Sequence, residues 1–331
     1  MADSLWIFEE MNLINHFSDK NSMSLITCLS WVGKGFARKD PIQITGMPAE
    51  EEYDEPEDME VEMDDELPAF SEMPEDEDFE DVKDEEGDED ARINPDDALI
   101  AVGVQNGDYS ELHVYLYDEE NSNLYVHHDF ILGAYPLDCE WLPFNPLDTE
   151  NSGNCLAVSS FDTGIEIWDL DLMNPVEPVT TLGGTKLSKA KKRRKPTKKL
   201  VSGSHTDSVL TLANHPTRNN LLASGSADCS VKIWDVFESS CKMTITTFYD
   251  KIQTVNWSPH DEKLLAVGGF DKEVALINAD TPKLKQSFLT PGVIEKVQFS
   301  PYDPNVLSAS TESGHLLFLD IRNMGTPLWQ G

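Results

Sequence analysis

The second half of the chain repeats one short strand pattern four times, and each copy carries an acidic or amide residue at the same position. The intervals between these positions are 66, 43 and 42 residues. The copies are IEIWDL, VKIWDV, VALINA and LLFLDI, with Asp169, Asp235, Asn278 and Asp320 at the shared position. Self-similarity at a period of roughly 40–45 residues is typical of β-propeller blades. The longer first interval predicts one such period that contains an insertion.

Two companion segments keep the same spacing, which argues against a chance period. Each copy follows a small-residue strand and turn, as in NCLAVSSFDTG, NLLASGSADCS, KLLAVGGFDKE and NVLSASTESGH. Before that comes a strand that leads to a proline, as in PLDCEWLPFNP, SVLTLANHP, KIQTVNWSP and VIEKVQFSP. A weaker unit, ALIAVGVQNGDYSELHVYLYD, starts at Ala98. Short β-rich runs between turn residues predict an all-β fold, here a β-propeller with about five blades over residues 98–331.

Two of these units contain the dipeptide Trp-Asp, formed by Trp168 and Asp169 and by Trp234 and Asp235. With these dipeptides and the wording LASGSAD…VKIWD, residues 98–331 resemble the WD-repeat family of β-propellers. The resemblance implies a buried hydrogen-bond set, which maps here onto His205, Ser224 (alternatively Ser226), Asp228 and Trp234. Buried polar groups must satisfy one another, so we expect this set to fix the geometry of its blade. The other units lack the full set, which predicts looser blades.

Rings of the WD-repeat family usually contain about seven blades, and an unclosed ring leaves exposed strand edges. This chain shows five units and stops at TPLWQG, which resembles the first strand of another blade. We therefore expect the sequence to be truncated at its C-terminal end or to come from an incomplete gene model.

An acidic stretch separates the N-terminal segment from the repeats. Residues 50–97 contain 27 Asp and Glu against two basic residues, which accounts for most of the net charge of −36. Such a segment cannot bury enough apolar surface to offset its chain entropy. We assign residues 1–22 to an N-terminal extension, 23–46 to a strand segment, 47–97 to an acidic disordered region and 98–331 to the propeller. Met1 and Met23 both remain candidate start residues.

A basic island interrupts this acidic chain inside the 66-residue interval. The sequence KLSKAKKRRKPTKK holds nine positive charges in fourteen residues, within an insertion that spans residues 184–203. It shows no amphipathic pattern, so we expect a solvated loop. Its charge density favours nuclear localisation or contact with RNA phosphates, and a solvated charge run without a partner is the plain alternative. The candidate residues are Lys186, Lys189, Lys191, Lys192, Arg193, Arg194, Lys195, Lys198 and Lys199.

Catalytic and metal sites are less well supported by the residue patterns. Ser224, His205 and Asp228 are the residue types of a nucleophilic triad, but their blade positions favour a structural role. His127 and His128 are adjacent, and neighbours on a strand point to opposite faces, so we do not expect them to share a metal ion. The sequence contains no phosphate-loop, nucleophile-elbow or zinc-protease motif. We therefore predict a non-enzymatic protein without cofactor or metal.

The cellular compartment is constrained by cysteines and by apolar runs. Five scattered cysteines without a C-x-x-C pair indicate a reducing compartment. The sequence has no apolar run of transmembrane length, and its first residues lack the pattern of a signal peptide. Secretion and membrane insertion are therefore not expected.

Several segments outside the repeats resemble one group of WD-repeat proteins that act in ribosome biogenesis. They include SLITCLSWVGKGFARKDP, the acidic spacer, the VHHD segment and the lysine-rich insertion, in the same order. The resemblance implies a nuclear and nucleolar scaffold in pre-rRNA processing and large-subunit assembly, with pre-ribosomal proteins and pre-rRNA as partners. The alternatives are a chromatin or histone-binding regulator of transcription and a cytosolic adaptor. The acidic region is expected to bind basic tails, to mask the basic island, or only to aid solubility.

Overall fold

The computed structural model describes residues 24–43, 92–107, 109–119, 121–187, 198–281 and 283–331. Within these ranges the chain forms strands and turns, and no helix long and apolar enough to cross a membrane is found there. In chain order the strands are β1 (Ser24–Trp31), β2 (Ile42–Gln43), β3 (Ala98–Asn106), β4 (Tyr109–Asp118), β5 (Asn123–Leu132), β6 (Pro136–Asn145), β7 (Asp148–Ser160), β8 (Gly164–Asp169), β9 (Leu172–Met173), β10 (Thr180–Gly183), β11 (Thr185–Leu187), β12 (Lys198–Leu200), β13 (Val209–Asn214), β14 (Leu221–Ser226), β15 (Val231–Asp235), β16 (Ser240–Ile245), β17 (Ile252–Trp257), β18 (Leu264–Gly269), β19 (Glu273–Asn278), β20 (Lys283–Leu289), β21 (Ile294–Phe299), β22 (Val306–Thr311), β23 (Leu316–Asp320) and β24 (Trp329–Gln330).

Twenty of these strands form five four-stranded antiparallel sheets within the described ranges. Their orders are β1-β3-β4-β5, β10-β8-β7-β6, β13-β14-β15-β16, β17-β18-β19-β20 and β21-β22-β23-β24. We call these sheets blades 1 to 5, in chain order. Each repeat unit of the sequence supplies one blade, so the predicted all-β propeller fold is confirmed. The prediction that TPLWQG begins another blade is wrong, because β24 pairs with β23 as the fourth strand of blade 5.

The N-terminal strand segment is the first strand of blade 1, although the sequence analysis placed it outside the propeller. Strand β1 pairs with β3, from Ser24 opposite Asn106 to Trp31 opposite Ile100. β3 is buried along most of its length, as its continuous apolar sequence favours. The link between β1 and β3 contains the acidic stretch, and residues 44–91 lie outside the described part of the chain.

Apolar side chains fill the spaces between neighbouring blades. Phe130 of blade 1 and Trp168 of blade 2 belong to one cluster, and Leu182 and Trp234 belong to the next, between blades 2 and 3. Two further clusters join blade 3 to blade 4 and blade 4 to blade 5. Full burial of a large apolar side chain stabilises a fold by about 1.5–3 kcal/mol, so these layers hold the blades face to face.

Polar side chains on the first strands add hydrogen bonds between blades. Backbone amides of β13 donate to Asp138 Oδ2 at 2.8 Å and to Glu140 Oε1 at 3.0 Å. The same type of contact recurs between blades 4 and 5, where the amide of Phe299 donates to Asn256 Oδ1 at 3.0 Å. These bonds fix the register of one blade against the next, because each acceptor meets the amide of one particular residue.

The two ends of the sheets differ in what they carry. β10 ends at Gly183, opposite Gly164 at the start of β8, and the chain leaves there for the basic insertion. We call this the insertion end; the turns between the second and third strands of the blades also lie there. At the opposite end β2 pairs with β9, the amide of Ile93 donates to the carbonyl of Lys39 at 3.0 Å, and Ile93 is buried. The chain therefore enters and leaves the acidic stretch at the opposite end.

Candidate interaction site

Blade 3 brings together the four residues that are predicted from the sequence to form a hydrogen-bond set. The hydroxyl of Ser224, on β14, lies 2.7 Å from His205 Nε2 and accepts a bond from Trp234 Nε1 at 2.8 Å. His205 Nδ1 lies 3.0 Å from Asp228 Oδ2. Ser224, His205 and Trp234 are at most 1% exposed. The set thus connects the loop before β13, which carries His205, to strand β14, to the turn that follows β14 and to strand β15.

The donors and acceptors of this set follow one another in a single direction. The indole of Trp234 can only donate, so Ser224 accepts that bond and donates its own hydroxyl hydrogen to His205 Nε2. His205 Nδ1 then donates to the carboxylate of Asp228. Burial lowers the pKa of His205, which favours the neutral ring that this order requires. Burial alone would raise the pKa of Asp228, but bonds from His205, Ser230 and a backbone amide hold it well below its usual range.

Ser226, the alternative member of the set, has a different position. Its hydroxyl donates to the carbonyl of Ser208 at 2.7 Å and accepts a bond from the amide of Asp228 at 3.1 Å. It shapes the turn, whereas Ser224 makes the contacts to the imidazole and the indole.

Ser224, His205 and Asp228 have the connectivity of a nucleophilic triad, but they are enclosed. Both Ser224 and His205 are 0% exposed, and the serine hydroxyl already accepts the indole N–H of Trp234. A catalytic nucleophile needs a site about 3 Å away in which a reacting atom can sit. The geometry therefore supports the structural role.

The other Trp-Asp unit, in blade 2, uses a different arrangement. The indole of Trp168 donates to Glu166 Oε2 at 3.0 Å, and its ring stacks on Phe130 of blade 1 with centroids 5.6 Å apart. Asp169 and Asp235 each accept a bond from an asparagine side chain of their own blade, Asp169 from Asn145 at the end of β6 and Asp235 from Asn220 just before β14. Unlike the indole of Trp234, the indole of Trp168 thus finds its hydrogen-bond acceptor, Glu166, on its own strand, β8.

The basic insertion begins and ends as a two-stranded antiparallel ladder, β11 with β12, so the prediction of a solvated loop is wrong about the strands of this stem, although its lysines are exposed to solvent. The chain enters it through Gly183 and Gly184, whose φ angles of 73° and 79° favour glycine. Lys186 lies directly opposite Lys199, and both, like Lys198, are exposed. Like charges in this position repel, and an anion would relieve the repulsion. The other candidates lie outside the described residues: Lys189, Lys191, Lys192, Arg193, Arg194 and Lys195.

His127 and His128 contact each other, so the prediction that they point to opposite faces is wrong. Their Nδ1 atoms are 2.7 Å apart. Val114 pairs with His128 while Tyr115 pairs with Val126, which leaves His127 as the extra residue of a β-bulge, and a bulge redirects side chains. Burial and the neighbouring His127 lower the pKa of His128 to about 3. In the described part of the chain, no three His, Cys, Asp or Glu residues are grouped to hold a metal ion.

The insertion end of blade 4 carries exposed residues that the sequence analysis did not single out. Tyr249 is 90% exposed and Phe270 is 41% exposed; Asp250, which is exposed, and Asp271, which is half-buried, follow them in the chain. We call these four residues the acidic-aromatic surface. An aromatic residue before an aspartate in each of two turns was the signal that could have identified it.

Comparison with known proteins supports the assignment of the blades. The family model described as "WD domain, G-beta repeat" matches residues 195–235, which contain the hydrogen-bond set. A periodic tryptophan protein 1 homolog of Drosophila melanogaster is 33% identical over 255 residues, which are 75% of this chain and 54% of the relative. An uncharacterized WD repeat-containing protein of Schizosaccharomyces pombe is 32% identical over 243 residues, 73% of this chain and 47% of the relative. Periodic tryptophan protein 1 of Saccharomyces cerevisiae is 28% identical over 287 residues, which are 74% of this chain and 50% of the relative.

The repeated blades, the hydrogen-bond set and these similarities agree, and the chain belongs to the WD-repeat family. Within that family its homologues over about three quarters of its length include the periodic tryptophan protein 1 proteins of fly and budding yeast. The chain spans about half the length of the curated relatives it matches.

Proposed function

We propose that this chain is a non-catalytic nuclear and nucleolar scaffold in ribosome biogenesis, acting in pre-rRNA processing and large-subunit assembly. Its blades dock pre-ribosomal proteins, and its basic insertion directs nuclear entry and contacts the phosphates of pre-rRNA. The similarity to periodic tryptophan protein 1 supports the ribosomal role. The enclosed hydroxyl of Ser224 supports a role without catalysis.

The single observation that carries this proposal is the lysine ladder at the insertion end. The ladder holds Lys186 opposite Lys199 at the root of a segment with five consecutive basic residues. Each lysine placed against a phosphate releases condensed counterions, which favours binding without reading the base sequence.

The test replaces Lys186, Lys198 and Lys199 by glutamine. The affinity for a single-stranded RNA falls as the salt concentration rises. If each of the three lysines contacts one phosphate, the negative slope of log affinity against log salt concentration should become shallower by about 2 in this variant. The matched control replaces three exposed lysines elsewhere: Lys39, Lys272 and Lys285. Equal losses in both variants would show that only net charge matters and would refute contact through the insertion.

The nuclear role is tested on the consecutive basic residues. Glutamine at Lys191, Lys192, Arg193, Arg194 and Lys195 should abolish nuclear accumulation in fluorescence microscopy and reduce the recovery of pre-rRNA with the protein. If both readouts stayed unchanged, the insertion would not have this role.

Binding to chromatin or histones is the second candidate, favoured by the 27 acidic residues of residues 50–97. Nuclease treatment distinguishes the ribosomal role from binding to chromatin. Association that disappears with RNase but survives DNase supports the ribosomal role, and the reverse result supports chromatin.

A further inference from the structure

The acidic-aromatic surface is held together by backbone contacts within blade 4. The amide of Phe270 donates to the carbonyl of Lys251 at 3.0 Å, which fixes the turn after β18 against the start of β17. The carboxylate of Asp271 accepts bonds from the amides of Glu273, at 3.2 Å, and of Tyr249. The two exposed rings and the two carboxylates are therefore presented on neighbouring turns.

This surface already holds a cation of the chain itself. The ammonium of Lys251 lies 6.0 Å from the centroid of the Phe270 ring, within the range of a cation–π contact. The carboxylates of Asp250 and Asp271 add negative charge beside the rings, and they repel each other. Burial raises the pKa of Asp271, and the charges of Glu273 and Asp250 raise it further. A second cation would reduce this repulsion between carboxylates.

Arginine fits the surface better than lysine does. Its planar guanidinium stacks on an aromatic face and binds a carboxylate through two parallel hydrogen bonds, whereas an ammonium is a compact, strongly hydrated charge. We propose that the acidic-aromatic surface binds an arginine-containing segment of a partner protein, with the guanidinium on an exposed ring and against the carboxylates of Asp250 and Asp271. This site is separate from the basic insertion, so its test is independent of the proposed contact with RNA.

The experiment measures the binding of a fluorescein-labelled peptide to the full chain by anisotropy at about 0.15 M salt, where the Debye length is about 8 Å. The peptide carries four arginines and no acidic residue, and the comparison peptides carry lysine or citrulline in their place. Citrulline keeps the planar shape but removes the charge. We expect the arginine peptide to bind several-fold more tightly than the lysine peptide, and the citrulline peptide to bind least.

The chain contains a closely matched control for this surface. Tyr302 and Asp303 form a second Tyr-Asp pair, exposed at the opposite end of blade 5. Both aspartates accept a local backbone bond, Asp250 at 2.8 Å and Asp303 at 2.9 Å, so the two double variants should perturb folding similarly. Tyr249→Ala with Asp250→Asn should weaken binding by about tenfold, a loss of about 1.4 kcal/mol, while Tyr302→Ala with Asp303→Asn should leave it unchanged.

Two results would overturn the proposal. Equal weakening in both double variants would mean that the overall negative charge of the chain, including residues 50–97, attracts the peptide. Binding of the citrulline peptide as tightly as the arginine peptide would mean that the cation is not recognised. A photoreactive arginine peptide gives an independent measurement, since its crosslinks should map to the turns of blade 4 and not to residues 50–97.

Discussion

Replacing Ser224 by alanine removes one hydroxyl but leaves two buried groups without a partner. The indole of Trp234 loses its acceptor at 2.8 Å, and His205 Nε2 loses its donor at 2.7 Å. Each buried polar group left unsatisfied costs about 1–3 kcal/mol, against roughly 1 kcal/mol for an ordinary hydrogen bond. No water can replace the hydroxyl without new space, because Ser224, His205 and Trp234 are at most 1% exposed. We expect Ser224→Ala to lower the free energy of unfolding by about 2–5 kcal/mol.

Urea denaturation followed by tryptophan fluorescence measures this loss. The control is Ser308→Ala in blade 5, because that hydroxyl donates only to a backbone carbonyl at 3.0 Å and is half-buried. It should cost less than about 1 kcal/mol. In a Trp234→Phe background the indole donor is already absent, so Ser224→Ala should cost at least about 0.5 kcal/mol less there. If Ser224→Ala cost no more than Ser308→Ala, or if the two changes were additive, the ordered set would not carry this energy.

Three further predictions concern other parts of the fold. Because the pKa of His128 is lowered to about 3, the folded chain binds fewer protons than the unfolded chain between pH 3 and 6.5. The free energy of unfolding should therefore fall by about 2 kcal/mol from pH 7 to pH 5. Denaturation curves of His128→Phe should lack this part of the pH dependence. Gly183→Ala should lower the melting temperature more than Gly314→Ala, since both have positive φ but only the first added methyl meets neighbouring atoms, at about 3 Å. Asn256→Ala should speed hydrogen exchange of the Phe299 amide by at least about tenfold, because that amide loses its acceptor in the next blade.

The blades could be predicted because their signal is local and repeated. Each unit carries its own strands, its own turn residues and its own terminal position, so errors in one copy are corrected by the others. The hydrogen-bond set could be named for the same reason, although the choice between Ser224 and Ser226 needed the positions of the side chains around the indole.

The features that sequence reasoning missed depend on partners distant in the chain. The apolar alternation of β1 predicts a strand, but its pairing with β3 across the acidic stretch leaves no local trace. The sequence alone predicts that His127 and His128 point to opposite faces of a strand. The β-bulge that changes this depends on how β5 pairs with Val114 and Tyr115 of β4. The stem of the insertion was missed because a ladder of three residue pairs is too short to show a periodicity.

The two charged segments of the chain leave the propeller at opposite ends of its sheets. The chain departs for its most basic segment at one end and for its most acidic segment at the other, and β8, of six residues, separates them in blade 2 by about 20 Å. Gln43 of β2 and Lys198 of β12 are the described residues next to these two departures, so they lie beyond opposite ends of the sheets. Two probes, one attached beside each of these residues, would therefore be kept apart by the length of a blade, with the propeller as the spacer between them.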